Sequence, residues 1–337
     1  MPSHDRFLQS RFTRRQALLA LAATAAAPAL ASSFPRPVLA QDQATLTLVA
    51  YSTPREAYEE LIPLFQATPD GAGVQFETSY AGSGEQSRAV EGGLPADIVA
   101  FSLEPDITRL VKAGLVAEDW NADEYKGMVT DSVVALVFRP GNPKGIASWD
   151  DLIKEGVEVI TANPLTSGGA RWNILAAWGA FLKTGKTEEE ATEYLRQLFT
   201  HVPVQDKSAR EALATFTGGK GDVLISYENE AIAAQQAGEE LEYIVPDQTI
   251  LIENPIAVDT ESASPEKAQA FIDFLRTPDA QKVFGEKGYR SILPEVLETF
   301  DFPTPPTLFT IADLGGWSDL TTKLFDPDNG IVAKVQQ

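Results

Sequence analysis

The sequence predicts an α/β protein with largely parallel sheets. Three observations carry that prediction: short β-favouring apolar runs recur along the chain, each ends in Ser, Thr or Gly, and each then opens into a segment with apolar residues at helical spacing. The first unit is a strand over 45–51, then Ser52-Thr53-Pro54, then a helix over 55–65. A hydroxyl at the cap and Pro at the first helical position mark a helix start. The second is a strand over 74–80, followed by Ala81-Gly82-Ser83-Gly84 and a helix beginning near Glu85. The third is a strand over 157–162, with Thr166-Ser167-Gly168-Gly169 ahead of a helical run over 170–182. A strand over 222–227 then feeds a helix from Glu228 onward.

Composition narrows the function. Of 337 residues, 44% are hydrophobic and 22% charged, an ordinary globular balance with enough chain for two lobes. The formal charge of −21 argues against nucleic acid or an anionic membrane as partner, because phosphate contacts need clustered Lys and Arg. No cysteine is present, which removes disulfides, thiolate chemistry, Cys-bound metal and a lipid-modified Cys. The only histidines are His4 and His201, so a histidine metal site or a Ser–His–Asp triad has little to build on. His201, beside Val202 and Pro203, is expected to be structural.

The first 40 residues look like an address. Arg14 and Arg15 precede an uncharged, Ala- and Leu-rich stretch over 16–34 that is short for a membrane span. A basic start, an apolar middle and a small-residue exit describe a secretory signal, and the paired arginines suggest the twin-arginine route. Cleavage is expected after Ala40, with Ala31 as the alternative. Residues 1–40 hold five arginines against Asp5, so the mature chain carries about −25. An exported, periplasmic protein without a lipid anchor is expected.

In parallel sheets, ligands gather at the carboxyl ends of strands, where helix N-termini point. Unpaired N–H groups and a partial positive charge at several converging helix starts make an anion site without lysine. Glycine there leaves the backbone open to the guest. One such junction alone is an ordinary stabilising cap; several together suggest a site.

The stretch Asn163-Pro164-Leu165-Thr166-Ser167-Gly168-Gly169-Ala170-Arg171-Trp172-Asn173, followed by Ala176-Ala177-Trp178-Gly179, resembles the sulfate-binding proteins of ABC importers. Gly221-Asp222-Val223-Leu224-Ile225-Ser226-Tyr227-Glu228-Asn229-Glu230 is similar to that family's second signature. Residues 51–58 and Ala81-Gly82-Ser83-Gly84-Glu85-Gln86 match its opening segments, so the likeness runs from about Leu46 to Pro294. The resemblance implies a type II periplasmic-binding-protein fold of two α/β lobes closing over one dehydrated sulfate. Residues 45–130 plus 255–337 would form one lobe and 131–254 the other. The crossing strands of the hinge would lie at 131–138 and 249–259. The tail after Gly315-Gly316, over 317–335, is expected to form a helix or two packing on the first lobe.

The same resemblance implies the site. Ser83 and Ser167 would give hydroxyl and backbone donors, Gly168 and Gly169 backbone N–H groups, and Ala209, in Ser208-Ala209-Arg210, a further backbone donor. Ser52 stands where the family has Asp, and Tyr227 where it has an indole donor. Arg171 would support the site rather than grip the anion, as would Ser208 and Arg210. No cofactor or metal is implied. The partners would be sulfate or thiosulfate and an ABC permease, with the protein a monomer. Trp172 and Trp178 are expected to serve packing.

A site made only of donors has a chemical consequence. Sulfate near neutral pH carries no proton and only accepts hydrogen bonds, whereas hydrogenphosphate keeps one. In a dry donor-lined pocket that proton lacks an acceptor, at about 1–3 kcal/mol. Two other readings stand beside this one. Another oxyanion, such as molybdate, tungstate or phosphate, would keep the binding role. An exported ester hydrolase would need a base, a nucleophile or a metal cluster, and no motif supplies one.

Overall fold

A computed structural model of the chain describes residues 43–336; the expected signal over 1–40 lies outside the described residues. The chain opens with β1 (Ala44–Tyr51), α1 (Arg55–Gln66), β2 (Val74–Ala81), α2 (Ser83–Glu91), β3 (Ile98–Ala100) and α3 (Glu104–Lys112). It continues through β4 (Met128–Phe138), β5 (Val159–Ala162), α4 (Gly168–Lys183), α5 (Glu188–Thr200), β6 (Val204–Asp206), α6 (Ala209–Thr217), β7 (Val223–Tyr227) and α7 (Glu228–Gln236). The remainder is β8 (Glu242–Ile244), β9 (Gln248–Val258), α8 (Pro265–Leu275), α9 (Pro278–Glu286), α10 (Pro294–Leu297), β10 (Thr307–Phe309), α11 (Trp317–Phe325) and α12 (Ile331–Val335).

The strands run in the order β2-β1-β3-β9-β4-β7-β5-β6. The outer pairs, β1 with β2 and β3, and β5 with β6 and β7, are parallel as expected. The two middle strands are not. β9 is antiparallel to β3 and to β4, and β4 is antiparallel to β7. A crossing strand has to traverse from one sheet group to the other, so it meets its neighbours head to tail. β4 does so by pairing Asp131 and Val133 with β9, then Val134 to Phe138 with β7. Its run Val133-Val134-Ala135-Leu136-Val137-Phe138 is buried throughout, the pattern of a strand covered on both faces.

Each side of the crossing has its own apolar core. Leu46, Leu48, Tyr58, Phe65, Phe271 and Phe284 form one beneath β1, α1, α8 and α9. Trp149, Trp172, Trp178, Tyr194 and Leu198 anchor another around α4 and α5. The tail follows the expected packing only in part, since α11 packs against α3 but most of its apolar residues go elsewhere. Phe309, Trp317, Leu320, Leu324 and Val335 join the core around α4 and α5, not the one beneath β1, α1, α8 and α9. Trp317 meets Trp172 edge to face at a centroid distance of 4.9 Å. The apolar face of α4 is wide enough to need a second cover beside α5, and the tail supplies it.

Candidate functional site

Helix starts converge at one point. Ser52, Thr53, Ser83, Ser167, Gly168, Gly169, Ala209 and Tyr227 line a single cavity of about 10 Å³, together with Tyr51, Gly82 and Ser102. That is about the smallest space that holds a single water molecule, so a larger guest needs the walls to part. The structure thus brings together Ser52, Ser83, Ser167, Gly168, Gly169, Ala209 and Tyr227, all the residues expected to touch a ligand. Helices α1, α2, α3, α4, α6 and α7 all begin at or within three residues of a lining residue. Their first N–H groups have no partner inside the helix, and their dipoles put positive potential in the cavity.

Local sequence explains each start. Ser167 caps α4 by accepting the Ala170 N–H at 3.3 Å, leaving its own hydroxyl hydrogen free for a guest. Its backbone N–H is already given to the Asn163 carbonyl at 2.9 Å, so the expected backbone donor is taken. Ser208 caps α6 through the Glu211 N–H at 3.2 Å, which supports Ala209 without entering the cavity wall. Helix α2 starts at Ser83, two residues ahead of the expected Glu85, because Gly82 serves as its cap. A Cβ on Gly82 would lie 2.8 Å from the Thr166 carbonyl and 3.0 Å from that of Lys207, so only glycine lets these loops meet.

Ser83 also departs from expectation. Its hydroxyl donates to Asp106 Oδ2 at 2.5 Å and accepts the Ser102 N–H at 3.0 Å. Its single hydrogen is therefore engaged, and Ser83 faces the cavity with its backbone. Burial pushes the Asp106 carboxyl up, against the Ser83 hydrogen bond and the charges of Arg171, Arg109 and Arg88. Asp106 stands behind the wall and does not line the cavity. Arg171 does not line it either: its Nε donates to the Pro164 carbonyl at 2.9 Å, and its guanidinium lies over Phe325.

Arg210 spans the cleft. It donates to Glu56 Oε2 and Glu230 Oε1, each at 2.9 Å, and to the Thr53 carbonyl at 3.1 Å. Burial works against its charge, but the two carboxylates outweigh burial and hold the guanidinium above its ordinary range. Tyr227 is buried, and burial raises its phenol far above the ordinary value, so it keeps its hydrogen. The phenol oxygen lies 2.6 Å from Ser102 Oγ.

Ser102 escaped the sequence reading. The signal was present, since strand β3 ends just before Phe101-Ser102-Leu103 and α3 opens with Pro105 near its start, but a three-residue strand has no periodicity to detect. His201 accepts its structural reading, with Nδ1 2.9 Å from the Val157 carbonyl. Trp172 and Trp178 are buried in the core. A larger cavity, about 600 Å³, lies between α3 and α11 and mixes Arg109, Lys112 and Arg171 with Glu104 and Asp106. Its wall is not donor-only. Among the described residues, no group of three or more His, Asp or Glu side chains is placed to hold a metal.

A cleft of this kind, with helix starts from both sides of two crossing strands facing one small polar cavity, is the architecture of a solute receptor. The bacterial extracellular solute-binding protein family matches residues 46–290. The chain belongs to that family, and within it to the sulfate- and thiosulfate-binding proteins. It is 47% identical to the sulfate-binding protein of Synechococcus elongatus over 303 residues, covering 87% of this chain and 86% of that one. To the thiosulfate-binding protein of Pseudomonas aeruginosa it is 34% identical, over 85% of this chain and 90% of the other. The solved sulfate-binding protein SubI of Mycobacterium tuberculosis superposes with a TM-score of 0.82 at 48% identity, covering 84% of this chain and all of that one.

Proposed function

We propose that this protein captures sulfate, with thiosulfate as the neighbouring possibility, between two lobes and delivers it to an ABC permease. The observation that carries the reading is the meeting of Gly168, Gly169, Ala209 and Ser167 around one small buried cavity. These groups offer hydrogens from amides and a hydroxyl, which suits a guest without a proton. The named relatives support sulfate first and thiosulfate second. The lobes would be residues 45–130 plus 255–337 and 131–254, turning about β4 and β9, with the tail from Phe309 onward packed mainly on α4 and α5 of the second. Arg210, tied to Glu56 and Thr53 on one side and Glu230 on the other, would hold the lobes together once shut.

Export by the twin-arginine route, cleavage near residue 40 and action as a periplasmic monomer complete the reading. The test is addition of sulfate to the purified mature protein. A ligand at 100 times its Kd stabilises the folded state by about 2.7 kcal/mol, enough to raise the melting temperature by several degrees. Tryptophan emission is expected to change with it. A melting temperature indifferent to sulfate and to thiosulfate would remove the proposal.

A further inference from the structure

We propose that Ser102, and not Tyr227, presents the hydroxyl hydrogen to the bound anion, with Tyr227 serving to aim it. The inference rests on the sulfate reading above and concerns how one donor reaches the guest. Ser102 is fully buried and lines the cavity. Its backbone is pinned on both sides: the N–H donates to Ser83 Oγ at 3.0 Å, and the carbonyl accepts from Trp172 Nε1 at 2.8 Å. Only the hydroxyl is left to rotate, and it lies 2.6 Å from the Tyr227 oxygen.

Two hydroxyls at that distance share one hydrogen between them and keep one for something else. The direction follows from acidity. A phenol is far more acidic than an alkanol, so it is the better donor, and the alkanol oxygen is the better acceptor. Tyr227 therefore gives its hydrogen to Ser102, and Ser102 turns its own into the cavity. The neighbouring hydroxyl cannot take over, since Ser83 has given its hydrogen to Asp106. A Cβ placed on Gly168 would stand 2.6 Å from Ser102 Oγ, which puts that oxygen against the loop whose amides face the guest. Ser102 lies just after β3 and Tyr227 at the end of β7, on opposite sides of the crossing strands, so the pair forms only where the two sides meet.

The experiment is a calorimetric double-mutant cycle with sulfate on the mature protein: wild type, Ser102→Ala, Tyr227→Phe and the pair. Loss of a hydrogen bond to a charged group is expected to weaken Ser102→Ala roughly 10- to 100-fold. Tyr227→Phe leaves the serine its hydrogen but removes its guide, for a loss of about threefold. The double variant should then match Ser102→Ala. A larger loss in Tyr227→Phe than in Ser102→Ala, or losses that multiply in the double variant, would overturn the assignment. Melting temperatures of the free variants check folding. Ser102→Cys keeps the packing with only a weak S–H donor, so it too should lose most of the affinity, and wild-type affinity in it counts against the proposal. Wild type that binds sulfate alongside a Ser102→Ala that binds equally well sinks this inference alone, whereas wild type without any sulfate heat sinks the sulfate reading with it.

Discussion

At the scale of single residues, glycine and hydroxyl positions decide what the cavity offers. Gly168 is the sharpest case, because an added Cβ would sit 2.6 Å from Ser102 Oγ and 3.0 Å from Leu103 Cγ. Overpacking of that kind costs about 1–3 kcal/mol. Gly168→Ala is therefore expected to lower unfolding stability in urea by about 1–3 kcal/mol and to weaken sulfate binding roughly 10- to 100-fold by calorimetry. Unchanged affinity would mean that the loops of Ser102 and Gly168 do not close on each other. Much of this wall was legible from sequence, since strand, cap, then helix is a local pattern around Ser52, Ser83, Ser167 and Tyr227, while Ala209 is implied by the family resemblance alone. Ownership of the hydroxyl hydrogens was not. Ser83 gives its hydrogen to Asp106 on a different helix, a pairing no spacing rule reaches.

At the scale of elements, the crossing strands carry an electrostatic strain. Asp131 on β4 stands opposite Glu253 on β9 in register, and like charges directly opposed in a sheet are unfavourable. Burial first, and Glu253 second, push the Asp131 carboxyl up to about 8 against the pull of Arg290. Burial raises Glu253 as well, with Lys126 opposing and Glu104 adding to the rise. In the unfolded chain Asp131 ionises near its ordinary value, so between there and about pH 8 the folded state holds the extra proton. Stability should thus fall as pH rises through that window, by at most about 1.4 kcal/mol per unit and less where solvent reaches the pair. Urea unfolding at pH 5 and pH 7.5 should show a flatter dependence in Asp131→Asn than in wild type; parallel dependences would refute it. The tail makes a separate prediction. Trp317→Ala removes the edge-to-face partner of Trp172 and should lower unfolding stability by roughly 3 kcal/mol in urea, with the ranking of anions unchanged. Sequence placed these terminal helices and their contact with α3, but not their packing on α4 and α5, because those partners are remote in the chain and only the assembled core reveals them.

At the scale of the whole molecule, an acidic protein of formal charge −21 holds a place for an anion. The two facts are compatible because the attraction is local: helix starts from both sides of β4 and β9 aim at one enclosed point, and surface carboxylates are screened beyond about 10 Å. The strand–helix alternation announced this architecture, and the antiparallel insertion of β4 and β9 was the part that alternation alone did not foretell. The central proposal is that the cavity greets its guest mainly with hydrogens, from the amides of Gly168, Gly169 and Ala209 and from hydroxyls turned to donate, and so favours an anion without a proton. It is tested most directly by calorimetric competition between sulfate and hydrogenphosphate on the mature protein near pH 7.5. Sulfate is expected to bind one to one, with hydrogenphosphate weaker by roughly 5- to 150-fold, the equivalent of about 1–3 kcal/mol for its stranded proton. Equal affinity for the two anions would contradict the account.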